Sequence, residues 1–287
     1  MLIAANGDAW GISGPTFLIV YAVAAIALAA LTVALRRKVT RGRPTKVPLG
    51  PIEAAYLIGG SSRAIAAAVA ALRADRAVTS AGDGRLEARA TSYTMRSPLN
   101  DAVIRAIQSS SATASALIAH VGVRRALDGV RVGLERKGLL LTPAERAQLR
   151  FTALPFGVLL VIGLVRLVAD IQNDSAVGFL VAALIVVAVS ALVWLNVAPR
   201  VTRAGRDALA DVRAKHAHLE PSMSPAWDTY GSSDAALGVG LFGMAALMSM
   251  DPAFAEEAAI GQQLGLQSGG GGIGGWSGAG HYGGCGG

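Results

Sequence analysis

Four histidines, one cysteine and one arginine inside an apolar run are the residues whose chemistry first needs an account. His216 and His218 are two positions apart. On a helix such a pair points to different sides and cannot clasp one metal as an i, i+4 pair would. Cys285, in the closing stretch "GGGGIGGWSGAGHYGGCGG", is the only cysteine, so the chain can build no internal disulfide and no cysteine-based metal site. Its expected behaviour is that of an ordinary exposed thiol, a candidate reactive handle on a flexible string. Arg166 stands in "FTALPFGVLLVIGLVRLVA", four residues before Asp170. A charge within a membrane span marks function by default. The nearby Asp170 and the end of the apolar run predict instead that Arg166 snorkels to the outer interface.

Other signatures of chemistry are missing. The chain has no Gly-x-x-x-x-Gly-Lys-Ser/Thr loop, no His-Glu-x-x-His and no Gly-x-Ser-x-Gly. Gly59-Gly60-Ser61-Ser62 could hold an anion at a helix start, but helix capping is its expected use. The apolar runs contain no acid, which argues against ion-coupled transport. The chain therefore reads as non-enzymatic, with no cofactor and no metal expected.

The elements that must position these residues are read from apolar length. The chain has 287 residues, 53% hydrophobic and only 16% charged, with a net charge of +7. A charged share of about 25% is ordinary for a soluble domain. Residues 9–35 carry no charge and are followed at once by "RRKVTRGRPTK". About 20 apolar residues rise about 30 Å as a helix, the thickness of a hydrocarbon core. Residues 15–35 are thus a first span, residues 1–14 an outside N-terminus, and residues 36–50 a basic linker in the cytoplasm. Residues 151–169 and 176–198 make a hairpin of two further spans. Its tip, "DIQNDS", is acidic, while Arg146, Arg150, Arg200, Arg203 and Arg206 flank its other end. All three spans then share one orientation, with the basic ends inside.

Residues 51–149 read as a cytoplasmic helical module. "IEAAYLIGGSSRAIAAAVAALRADRAV" suggests two helices joined by a Gly-Gly-Ser-Ser turn, with Ser62 as N-cap. "AVTSAGDGRLEA" suggests a hairpin around Gly82-Asp83-Gly84. A second copy is suggested 62 residues on, with Gly60, Arg63, Ile65, Leu72 and Val78 aligned to Gly122, Arg125, Leu127, Leu134 and Leu140. The expected fold is therefore mainly α: transmembrane helices plus a small cytoplasmic module of tandem winged-helix-like halves with short hairpins, and a disordered glycine-rich tail. Arg124, Arg125, Arg131, Arg136 and Lys137 could face phosphates. The first copy, however, offers base edges little but alanine, so nucleic acid is not the expected partner.

Residues 200–220 read as an amphipathic juxtamembrane helix, and residues 235–250 as a hydrophobic helix, either docked on the cytoplasmic helices or a fourth span. Residues 261–287 form the glycine-rich tail, which cannot bury enough apolar surface to order itself.

Several stretches together resemble a family of uncharacterised bacterial membrane proteins with low-complexity, glycine- and often cysteine-rich tails. They are "GPIEAAYLIGGSSRAIAAAVAAL", "GLLLTPAERAQLR", "VGFLVAALIVV", "RVTRAGRDAL", "LGVGLFGMAAL" followed by "DPAFA", and "GGCGG", from about residue 48 onward. The resemblance implies no activity, substrate or catalytic residue. The single cysteine here, where relatives often have several, weighs against a multi-thiol role. The expectation is a multi-pass protein of the bacterial inner (cytoplasmic) membrane. Its partners are the lipid bilayer and a protein scaffolded by the cytoplasmic module. A membrane-tethered DNA-binding regulator is the alternative, and an enzyme or transport accessory subunit the third choice.

Overall fold

The computed structural model describes residues 14–42, 48–89, 92–109, 112–172, 178–196 and 199–266. The N-terminal segment, the middle of the basic linker, the hairpin tip with Asn173 and Asp174, and the tail with Cys285 lie outside the described residues. The chain divides into two compact units, Met1–Val47 with Val132–Ala208, and Pro48–Arg131 with Leu209–Gly287. Each unit is therefore assembled from two separated segments. Four helices, starting at Thr16, Pro51, Pro143 and Gly178, are long and apolar enough to cross a membrane.

The first unit is built on α1 (Gly14–Thr40), α6 (Pro143–Phe151), α7 (Leu154–Gln172) and α8 (Gly178–Asn196). Thr142 and Glu145 start α6 as a reciprocal cap: the Thr142 hydroxyl accepts the Glu145 N–H at 3.2 Å, and Glu145 accepts the Thr142 N–H at 2.8 Å. Pro155 falls in the first turn of α7, where its missing N–H costs nothing. Tyr21, Phe156, Leu159, Leu180, Leu184 and Val187 form the seam between α1, α7 and α8. Gly163 lies where they come closest: a Cβ there would stand 2.6 Å from Leu184 Cδ2 and 2.8 Å from the Tyr21 hydroxyl oxygen. Small residues at such points let spans pack by dispersion where no hydrophobic drive exists between helices. The outward faces stay apolar, with Phe179 82% exposed and Ile26 69%.

At one end of this bundle the chain is laced together. Residues 138–141 meet residues 200–205: Leu141 N–H donates to Arg200 O at 2.9 Å and Thr202 N–H to Leu139 O at 3.0 Å. The end of α1 joins them, since Ala204 N–H donates to Arg41 O at 3.1 Å. The basic termini of all three apolar helices are thus gathered at one end.

The second unit contains α2 (Pro51–Ala74), β1 (Val78–Gly82), β2 (Arg85–Ala88), α3 (Pro98–Ser109) and α4 (Ala114–Ala119). Its second segment supplies α10 (Ser232–Phe242), α11 (Met244–Met250), α12 (Pro252–Glu257) and α13 (Ile260–Gln263). Helices α5 (Val121–Arg136) and α9 (Arg203–Lys215) each begin in one unit and end in the other. From Ala64 to Leu72 every residue of α2 is buried. A helix apolar on all sides must be covered on all sides. Its alanines admit close neighbours, and α10 comes so near that a Cβ on Gly240 would lie 3.1 Å from that of Ala55.

Both partners are bent at glycines in a conformation open only to glycine, Gly60 (φ 65°, ψ −148°) in α2 and Gly243 (φ 76°, ψ −143°) between α10 and α11. Arg63 ties the two bends. Its guanidinium donates to Gly240 O at 3.0 Å and Leu241 O at 3.1 Å, the carbonyls that α10 leaves open at its C-terminal end. The β1–β2 hairpin turns through Asp83 and Gly84 (φ 50° and 71°), the left-handed pair that a two-residue hairpin turn requires. The second segment clasps that turn, with Gly84 N–H donating to Glu257 O at 3.1 Å and Gln263 Nε2 to Gly84 O at 2.9 Å.

The two helices expected across residues 51–74 are present as the two arms of α2, which meet at Gly60, where the backbone is not helical. Other expectations need revision. The core of residues 48–131 is completed from residues 209–287, so the compact unit is not coextensive with residues 51–149. The aligned copies are not equivalent in space. Gly60 is a bend while Gly122 lies within α5, and Leu72 and Leu134 belong to different units. The alignment compared alanine-rich helix patterns, which recur wherever one face is buried. Residues 235–250 form the broken pair α10–α11, docked on the core of the second unit.

Candidate functional site

Arg166 is the largest fully buried side chain of the described residues, at 0% exposure. It reaches along α7 toward Asp170 in the last turn of that helix. One helical turn along α7, its Nε stands 3.0 Å from the nearer carboxylate oxygen of Asp170, and its guanidinium lies 5.1 Å from the centroid of the Phe17 ring on α1. Phe17 stacks in turn on Tyr21, whose hydroxyl donates to Leu159 O at 3.1 Å. Asp170 belongs to α7, so an acid lies in the last turn of that helix. The i, i+4 spacing is legible in the sequence, whereas the aromatic cover comes from α1 and is not.

A second buried arginine, which sequence reasoning missed, holds the laced end. Arg36 is 7% exposed, donates to Leu149 O at 3.0 Å and Thr152 Oγ1 at 3.2 Å, and also reaches Trp194 O. Its guanidinium lies 4.6 Å from the Trp194 ring centroid. One side chain thereby satisfies carbonyls at the ends of α6 and α8, where a cation also meets the negative pole of the helix. Its only sequence signal is its place as the first cation after a long apolar run. Neither arginine site brings a nucleophile or a proton-transfer pair together. Their chemistry is charge neutralisation and helix fixing.

The second unit has an open cleft of about 640 Å³ between α3 and α5, with Asp101, Arg105 and Arg125 among its lining residues. Beside it, the Tyr93 hydroxyl donates to the Asp101 carboxylate, and Arg96 lies 5.3 Å from the Tyr93 ring centroid. Burial, reinforced by the Asp101 carboxylate, pushes the Tyr93 pKa up from 10.0 to about 12. The protonated phenol is therefore favoured by the folded state. That contribution is complete below the unfolded value of 10.0 and is lost as pH rises through about 12. The stability advantage of the wild type over Tyr93→Phe should be constant from pH 7 to about 9 and shrink between about 10 and 12. Paired thermal melts across that range check it, and an advantage that persists at the alkaline end would refute the assignment.

The remaining sequence candidates fall as follows. α9 ends at Lys215, so His216 and His218 are not on one helix, and their rings come to 5.8 Å beside Tyr230. Among the described residues no group of three or more His, Cys, Asp or Glu could hold a metal. The Gly59–Ser62 stretch holds the break at Gly60, after which the second arm of α2 begins. Cys285 lies outside the described residues.

No family model, curated protein or solved structure matches the chain.

Proposed function

We propose that this chain is a non-enzymatic, multi-pass protein of the bacterial cytoplasmic membrane that scaffolds a protein partner through its second unit. In this reading α1, α7 and α8 are the spans. The apolar helix α2 is the core of the extramembrane unit, since residues 64–72 are enclosed by protein while the outward faces of α1, α7 and α8 need lipid. The observation that carries the reading is the gathering of Arg41, Arg200 and residues 138–141 at one end of the bundle. A positive end on every span supports a cytoplasmic location for that end and an N-terminus outside. Two spans separate the two segments of the second unit, and segments sharing one core must lie on one side. The DNA-binding alternative is disfavoured because the alanine-rich stretch it needs as a recognition helix is closed inside the core.

Single cysteines at Asp128, Glu256 and Asn173, in a Cys285→Ser background, test this arrangement. Position 173 should react with an impermeant maleimide on spheroplasts, and positions 128 and 256 only after lysis. Labelling of 128 or 256 on intact spheroplasts would overturn the topology. Loss of the co-purifying partner on changing exposed side chains of the second unit, with insertion intact, would support the scaffold role.

A further inference from the structure

We propose that the cleft between α3 and α5 is a binding site for a phosphate-bearing organic molecule, held by Arg105 and Arg125. The two arginines stand on different walls, Arg105 on α3 and Arg125 on α5, and both line the cleft. Neither makes a hydrogen bond or ion pair with another described residue, whereas Arg36, Arg63, Arg73 and Arg166 are all engaged. Two guanidinium groups without a hydrogen bond or ion pair line one concavity and leave it with an excess of positive charge. Asp101 is the only acid in the lining, and the Tyr93 hydroxyl already takes up its carboxylate. Arginine's planar fork matches phosphate oxygens two at a time, and a tetrahedral group offers oxygens to both walls at once.

The rest of the cleft suits carbon. Ala102, Gly122, Ala126 and Gly129 contribute small side chains or none to its walls, and Val130 adds an apolar surface. A volume of about 640 Å³ far exceeds a bare phosphate ion and falls in the range of sites for small organic ligands. The chemistry is that of a phosphomonoester with a modest apolar portion. Its source is either a soluble organic phosphate or the headgroup of a phosphatidic lipid.

The test uses the full chain in uncharged detergent micelles, with phenyl phosphate, benzoate and micelle-incorporated phosphatidic acid as probes in calorimetric titrations. Phenyl phosphate should bind at least tenfold more tightly than benzoate. Arg105→Gln and Arg125→Gln should each weaken it about tenfold with unchanged melting temperature. Arg124→Gln, on the same helix but outside the cleft, should leave it unchanged. The same variant pattern with phosphatidic acid alone would support the site with the lipid as source. Binding equal for benzoate, sensitive to Arg124→Gln, insensitive to the cleft arginines, or absent for both phosphate probes would overturn it.

Discussion

Asp170→Ala should destabilise the first unit by about 3–5 kcal/mol, the cost of leaving a buried charge without its counterion. Arg166 is wholly enclosed, with Asp170 as its carboxylate at 3.0 Å and the Phe17 ring across from it. Removing the carboxylate leaves the guanidinium in a medium where it cannot be hydrated. Removing both charges is different in kind. Arg166→Leu with Asp170→Leu replaces a costly pair by apolar contacts, an exchange that is often neutral or stabilising. The double variant should therefore recover most of the single variant's loss. Unfolding in mixed micelles with increasing dodecyl sulfate, followed by tryptophan fluorescence, measures both. Equal losses in the single and double variants would show that the two side chains are not energetically coupled. Recovery would identify the pair as a device that selects one packing of α1 on α7 and adds little net stability.

Leu72→Asp should unfold the second unit. Leu72 has 0% exposure and sits in the cluster that includes Leu99, Val103, Val239 and Leu247, drawn from both segments of that unit. Burying a carboxylate there without a partner costs several kcal/mol. That is comparable with the whole stability of a domain, about 5–15 kcal/mol. Leu134→Asp is the informative contrast. Leu134 is equally buried but belongs to the first unit, on the stretch whose end pairs with residues 200–205. Hydrogen exchange should show Leu72→Asp stripping protection from α2, α3 and α10, and Leu134→Asp stripping it from residues 139–141 and 200–205. If Leu134→Asp instead loosened the same segments as Leu72→Asp, the two positions would be repeat equivalents after all.

How much of this was legible in advance depended on the range of the interaction involved. The Asp83-Gly84 turn follows from a few neighbouring residues and lies where its local chemistry predicts. The two helices expected across residues 51–74 are there, interrupted at Gly60, because a glycine pair marks a break in helical geometry locally. How the chain bends at that break depends on what receives the bend. Here α10 and the Arg63 contacts receive it, and they come from residues about 180 positions away. Around Arg166 the i, i+4 carboxylate was visible in the sequence, whereas the Phe17 ring comes from α1, far away in the chain, and was not.

Apolar length and the placement of cations were determined by the sequence alone, because crossing a hydrocarbon layer is a requirement on each segment by itself. That is why α1, α7 and α8 could be located with their basic ends assigned to one side before any packing was known. What to do with α2 was a tertiary decision. An alanine-rich helix that is apolar on every face satisfies both the lipid and the interior of a protein, and its own residues carry no preference between them. The choice falls to whatever covers it, and α10 and α11 lie in the chain beyond α7 and α8. The assignment of residues 235–250 has the same origin: Gly243 breaks them into two short helices, and the covered faces of α2 are the surface that receives them.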